Sequence, residues 1–270
     1  MSRIKKTFDE LGDREAALIT YMMGGYPTLE QSVHVAEALV EGGADIIEVG
    51  VPFSDPIADG PIIQSASKKA LENGMSLRRV LKLCRMIRKQ YSLPIVVMGY
   101  LNPIYQMGYE RFFDEAKDSN VDGVIVPDIP LEESYDFRAT ARMRGIDVIL
   151  LAAPSTSPAR LRKIASCTSG FLYLVSVYGV TGPRRKIPER SLQFIKQAVR
   201  TVSRQVPLCV GFGISRPDQV KTISRTGAKG VVVGSSLINE LLKSATCSKE
   251  VLSRLKIKTR QLKRATVLSN

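Results

Sequence analysis

The chain has 270 residues, 44% of them hydrophobic and 24% charged, and 39 Lys and Arg against 26 Asp and Glu give a formal net charge of +13. That is enough apolar content for a substantial core, and the length suits one α/β barrel of about 250 residues as well as two small domains. No apolar run reaches the ~18 residues of a membrane helix; one histidine, His34, and four scattered cysteines without a CxxC pair exclude His-rich metal chemistry.

The N-terminus, "MSRIKKTFDELGDREAAL", has no apolar stretch after its basic residues and carries four acids, so it reads as neither a secretory signal nor a transit peptide. Ile4, Phe8 and Leu11 share one face, which predicts an amphipathic helix within 1–14 that packs on the domain. Short apolar, β-branched runs then alternate with helical periods. The predicted strands are 17–22, 45–50, 94–100, 123–128, 147–153, 171–177, 207–213 and 230–235. They are continuously apolar, as in a parallel sheet covered on both faces. Thr28, three residues before Gln31, opens the first intervening helix, which runs to Gly42-Gly43. Further helices are expected over 61–73, 76–90, 109–118, 132–144, 158–166, 187–203, 216–225 and 236–246, with a basic terminal helix over about 248–264. Val251, Leu252, Leu255, Thr259 and Leu262 form its docking stripe. With no linker or low-complexity segment, the reading is α/β: one domain, 1–270, folded as a single (β/α)8 barrel of the TIM type with an extra N-terminal helix and additional helices in its loops. A doubly wound open sheet is the alternative.

In such a barrel the active site lies at the C-terminal ends of the strands. The second predicted strand and its loop read "EVGVPFSDPIADGP", with Glu48, Asp55 and Asp59 and no lysine or arginine. With period 2, Glu48 points away from Ile47 and Val49, into the barrel. A carboxyl among aliphatics resists ionisation and suits general acid/base work near neutral pH. A hydrogen-bonded structural glutamate is the plainer alternative. Asp59 precedes Gly60-Pro61, a helix start, so capping alone would account for it. Asp55, in "SDP", reads as structural or interfacial. The seventh and eighth predicted strands end in "GFGIS" and "GSS", glycine and serine where a helix N-terminus can receive a phosphate. The sixth ends near Tyr173 and leads into "GVTG", a candidate lid with a hydroxyl at Thr181. These residues point to a small phosphorylated substrate and carboxylate catalysis without a metal or redox cofactor. "GFGIS" lacks the third glycine of a dinucleotide fingerprint, and no Walker motif is present.

The run "IEVGVPFSDPIADGPIIQ" (47–64) resembles the signature of the tryptophan synthase alpha family, and the resemblance extends through "MMGGYP", "GYLNPI", "VPDIPLEE", "YLVSVYGVTG", "GFGIS" and "GSS" in order. It implies a lyase of tryptophan biosynthesis that cleaves indole-3-glycerol phosphate to indole and glyceraldehyde 3-phosphate by a retro-aldol reaction. It implies Glu48 as the acid/base and Asp59 as the carboxylate facing the indole N–H. Tyr21, Tyr100, Tyr173 and Thr181 would line the substrate, with Thr181 meeting Asp59 on lid closure. Gly182, Phe212, Gly213, Gly234 and Ser235 would hold the phosphate. It also implies an alpha2-beta2 complex with a beta subunit that takes up the indole. Asp55, Pro56, Asn102, Asp128 and Pro130 would lie at that contact. Pyridoxal phosphate would belong to the beta partner, leaving this chain without a cofactor or metal. The chain departs from the family pattern at Tyr21, where phenylalanine is expected, and in the basic "PRRKIPER" after the lid.

Two other readings remain at this level. A related phosphate-binding barrel enzyme shares the strand-end phosphate loops, but the spacing from Glu48 to Asp59 within "PFSDPIADGP" argues against it. A nucleic-acid-binding protein would account for the charge, but the basic tail lacks interleaved aromatics. The cysteines are expected to be reduced and the protein cytoplasmic, with no membrane or nucleic-acid partner.

Overall fold

The computed structural model describes residues 1–175, 187–211, 213–244 and 247–268. Nine parallel strand segments form one sheet: β1 (Ala17–Met23), β2 (Ile46–Gly50), β3 (Ile95–Met98), β4 (Gly123–Ile125), β5 (Asp147–Ile149), β6 (Leu151–Ala152), β7 (Leu172–Val175), β8 (Leu208–Gly211) and β9 (Gly230–Val233). Their order is β5-β4-β3-β2-β1-β9-β8-β7-β6. The two segments at the ends of that order are one stretch of chain interrupted at Leu150. Asp147 donates its N–H to Asp122 on the β4 side, and Leu150 accepts from Tyr173 on the β7 side, at 2.9 and 3.0 Å. The fifth strand thus bonds to neighbours on both sides and joins the ends of the sheet. The expected eight βα units are present, arranged as a barrel. Every residue of β1, β2 and β9 is buried, which is why these strands read as unbroken apolar runs.

The helices are α1 (Arg3–Leu11), α2 (Leu29–Glu41), α3 (Pro61–Glu72), α4 (Leu77–Arg88), α5 (Leu101–Met107), α6 (Tyr109–Asp118), α7 (Tyr135–Met143), α8 (Pro158–Cys167), α9 (Glu189–Val202), α10 (Pro217–Ser224), α11 (Ser235–Leu242) and α12 (Lys249–Arg264). Thr28 caps α2 by accepting the Gln31 N–H at 3.2 Å. At the N-terminal ends of the strands, α1 buries Ile4 beside Gly123 and sets Phe8 edge-on to Phe171 at 6.1 Å. Arg3 pairs with the buried Asp122 at 2.9 Å.

The basic terminal helix docks by the expected stripe: Val251, Leu255, Thr259 and Leu262 are buried and Leu252 is half-buried. Its lysines pair with acids of the elements beneath. Lys256 meets Glu41 at 2.6 Å, Lys258 meets Glu240 at 2.9 Å, and Lys263 reaches both Asp45 at 2.7 Å and Glu15 at 3.2 Å. The densest part of the positive charge therefore carries much of its own counter-charge within the fold.

Several boundaries differ from the sequence expectation. The strand expected over 94–100 stops at Met98, and that over 123–128 stops at Ile125. Beyond these points the chain turns outward: Tyr100 is the N-cap of α5, a helix absent from the sequence reading. Asn102-Pro103 looks like a turn, yet proline is tolerated in a first helical turn, where its missing N–H has no acceptor to lose. Tyr173 lies inside β7, which continues to Val175, so it does not end its strand. The helix expected over 132–144 divides into a 3-10 turn, Leu131–Glu133, and α7.

Candidate functional site

Parallel pairing sets the residues that face one another inside the barrel. Tyr21 of β1 stands opposite Glu48 of β2, which stands opposite Val96 of β3. Around the ring, Tyr173 of β7 pairs with Cys209 of β8. Two glycines make this layer possible. A Cβ on Gly50 would come 2.0 Å from the Tyr21 hydroxyl, and one on Gly211 would come 2.1 Å from the Tyr173 hydroxyl. Each phenol therefore lies over a glycine.

Glu48 is 1% exposed, and among the described residues its Oε2 has no hydrogen-bond partner. Burial, and then the nearby charge of Asp59, raises its pKa to about 8. An uncompensated carboxylate in low dielectric is costly, so the proton stays on. Asp59 is 7% exposed, and burial raises it only to about 6 because the Tyr100 hydroxyl donates to its Oδ2 at 3.1 Å. At neutral pH one acid is thus mainly protonated and the other mainly ionised. Two carboxyls in one site whose proton affinities are driven apart is the arrangement of an acid and an electrostatic stabiliser.

The loop between β2 and α3 holds Asp59 in place. Asp59 donates its N–H to the Pro56 carbonyl at 3.0 Å, and Gln64 Nε2 returns a bond to the Asp59 carbonyl at 2.8 Å. The Ser67 hydroxyl of α3 both accepts from the Phe53 N–H and donates to its carbonyl, at 3.0 and 3.1 Å. Gly60 is the N-cap of α3 and Pro61 its first residue, so Asp59 stands one residue outside the helix and its side chain is not needed as a cap.

Glu48 and Asp59 line one cavity with Tyr21, Ile63, Met98, Tyr173, Gly213, Val232, Gly234 and Ser235. Its volume is about 40 Å³, small for a whole ligand. A larger apolar cleft of about 510 Å³ lies at the same end of the barrel, between Ala58, Val126, Pro130, Leu150 and Ala153. Both perturbed acids open into the smaller space, which makes it the candidate site.

One edge of that space can receive an anion. Gly234 is the N-cap of α11 and Ser235 its first residue, with no side-chain cap on the helix N-terminus. The first N–H groups of a helix have no intrahelical acceptor, and the macrodipole favours negative charge there. The helix start after "GFGIS" differs: Gln219 of α10 folds back and accepts from the N–H groups of Ser215 and Arg216, at 2.9 and 3.2 Å. So α11 offers an N-terminus without a side-chain cap, and Gly213, at φ 78°, holds a backbone conformation that favours glycine.

The sequence-predicted residues Tyr21, Glu48, Asp59, Tyr173, Gly213, Gly234 and Ser235 come together here. Thr181, Gly182 and Phe212 lie outside the described residues. Tyr100 contacts Asp59 but does not line the cavity. Ile63, Met98 and Val232 line it without having been anticipated. Period 2 from Val96 would have pointed to Met98; nothing in the sequence marks the first turn of α3 as turned inward. Asp55, Asn102 and Pro130 are exposed and Pro56 and Asp128 half-buried, with Asn102 in α5 and the others on the loops after β2 and β4. Asp128 also has an internal partner, since its Oδ1 accepts the Leu101 N–H at 2.9 Å and caps α5. Ile57, 77% exposed, stands in the same group of loops.

Comparison with known proteins places the chain in a family. Residues 8–267 match the family model described as tryptophan synthase alpha chain. The chain belongs to the tryptophan synthase alpha family. The alpha chain of Methanosarcina mazei is 42% identical over 269 residues, covering 99% of this chain and 96% of that one. That of Geobacter sulfurreducens is 45% identical over 254 residues, covering 93% and 95%. Among solved structures, tryptophan synthase of Mycobacterium tuberculosis superposes with a TM-score of 0.90 at 34% identity, covering 99% of each chain. The alpha subunit from Legionella pneumophila superposes with a TM-score of 0.86 at 34% identity, covering 98% of each. The family assignment thus spans the barrel, the loop carrying Asp59 and the open end of α11.

Proposed function

We propose that this chain carries out the alpha reaction of tryptophan synthase, the cleavage of indole-3-glycerol phosphate to indole and glyceraldehyde 3-phosphate. The observation that carries the reading is the pair of buried acids, Glu48 held protonated and Asp59 held ionised, opening into one cavity. Protonated Glu48 delivers its proton to C3 of the indole ring, giving an indolenine cation. The Asp59 carboxylate accepts the ring N–H and stabilises the charge as it develops, where exclusion of water makes a fixed negative group most effective. Glu48, now a carboxylate, takes the proton from the glycerol hydroxyl. The carbonyl of glyceraldehyde 3-phosphate forms, the bond to C3 breaks, and its electron pair restores the aromatic ring. Tyr21 and Tyr173 wall the ring, while Gly213, Gly234 and Ser235 hold the phosphate at the N-terminus of α11. Thr181, Gly182 and Phe212 join this set by the family resemblance.

Asp55, Pro56, Asn102, Asp128 and Pro130, with exposed Ile57, are the surface assigned to a tryptophan synthase beta subunit, which would hold the pyridoxal phosphate and consume the indole. The test is indole release from indole-3-glycerol phosphate, with and without the cognate beta subunit. Slow release alone and acceleration by the beta subunit are expected. No release in either case overturns the activity, and release without acceleration overturns the partnership.

A further inference from the structure

We propose that Tyr100 is a positioning residue for Asp59: its hydroxyl aims the Asp59 carboxylate at the substrate and does not itself bind the substrate. The inference rests on the role given to Asp59 above. Tyr100 is 4% exposed, yet among the described residues it is not part of the cavity wall that Tyr21 and Tyr173 share with the two acids. Its hydroxyl is already engaged twice, donating to Asp59 Oδ2 at 3.1 Å and accepting the Ala58 N–H at 3.0 Å. Its ring stacks on Phe53 at 5.2 Å with the planes 26° apart. Phe53 is in turn fixed to Ser67 of α3 through both its N–H and its carbonyl. One tyrosine therefore grips the loop at two points ahead of the carboxylate, Phe53 and Ala58, as well as the carboxylate itself. Because two acceptor–donor partners fix the phenol oxygen, the carboxylate oxygen it holds has one defined position.

The same bond governs when Asp59 is charged. Among the described residues, the ionisable groups facing it are acids: Glu48 from β2, Tyr21 from β1, Tyr173 from β7 and Tyr100 itself. Asp128 acts on Tyr100, and Cys209 faces Glu48. Against burial, the hydrogen bond from Tyr100 is the influence that lowers the Asp59 pKa. A hydrogen bond to the charged form of an acid favours that form.

The test compares wild type, Tyr100→Phe, Asp59→Asn and the double variant in indole-3-glycerol phosphate cleavage across pH, together with direct ¹³C-carboxyl titration of Asp59. For Tyr100→Phe we expect kcat to fall roughly tenfold with KM within about twofold, and the acid limb to move up by about one unit. The Asp59 carboxyl should titrate higher by the same amount. The double variant should be no slower than Asp59→Asn, since the tyrosine acts through the carboxylate. A loss confined to KM, or an Asp59 titration unmoved by Tyr100→Phe, overturns the proposal. If wild type cleaves no indole-3-glycerol phosphate, the functional reading fails, and the titration still decides whether Tyr100 governs Asp59. Should Tyr100→Phe unfold, Phe53→Leu loosens the ring and keeps the hydroxyl. An upward shift of Asp59 is expected there too, and an unmoved Asp59 again overturns the proposal.

Discussion

At the scale of single residues, the site turns on two carboxyls that share a fold and differ in proton affinity. Glu48 has a buried oxygen without a partner among the described residues, whereas Asp59 has Tyr100. Activity should therefore be bell-shaped in pH. The acid limb near 6 reports ionisation of Asp59, and the alkaline limb near 8 reports loss of the Glu48 proton. A flat profile between pH 5 and pH 9 would contradict that division of roles. Glu48→Gln keeps the shape and removes the transferable proton, so kcat should drop by about 10²–10⁴ while phosphate-ligand affinity persists. Asp59→Asn should lose about 10²–10³ in kcat, because the neutral amide no longer offsets the ring cation. Steady-state kinetics with a phosphate-ligand binding measurement checks both.

At the scale of elements, the strand ends carry the site and the glycines within them set its width. Gly50→Ala would drive a methyl into the Tyr21 hydroxyl, and Gly211→Ala would do the same to Tyr173. Each should cost about 1–3 kcal/mol and lower kcat by displacing a wall of the cavity. Adding Tyr21→Phe to Gly50→Ala should recover only part of the loss, since the ring carbon Cζ would still lie 2.6 Å from the new methyl. Thermal melts of the single and double variants decide this. Much of this level was legible in the sequence. Unbroken apolar runs gave the strands, period 2 placed Glu48 inward, and Gly60-Pro61 marked the start of α3. What was not legible depends on contacts remote in sequence. The break at Leu150 comes from strand five having to serve two neighbours. The Gln219 side chain takes the N–H groups just ahead of α10, while α11 begins without a side-chain cap, a difference that two similar Gly-Ser junctions do not reveal. Tyr100 looks like a strand-end wall residue until Asp59, 41 positions earlier, is seen to hold its hydroxyl.

At the scale of the molecule, buried acids set activity against stability. Glu48 has a folded pKa above its unfolded value, so the native state binds more protons than the unfolded chain between about 4.5 and 8. Stability is then greatest at the low end of that window and declines as pH rises through it. Glu48→Gln should melt above wild type at pH 9, by on the order of 2–4 kcal/mol, and the gap should close toward pH 4.5. Equal melting points at pH 9 would refute this. Lys263→Met should act in the opposite sense, leaving Asp45 and Glu15 without the lysine between them and costing about 1–3 kcal/mol. Its kcat should be unchanged, since Lys263 meets Asp45 and Glu15 just ahead of the N-terminal ends of β2 and β1, away from the cavity. The pairing of β1 with both β2 and β9 has a consequence for synthesis on the ribosome. Translation at about 5–20 residues per second leaves roughly 10–40 s between the emergence of β1 and that of its last neighbour. Until then the sheet is open and water reaches Glu48 and Asp59, which are ordinary ionised acids in a nascent chain. The unusual proton affinities of this enzyme are acquired at the moment the seam shuts, so catalytic competence begins only with the arrival of the final strand.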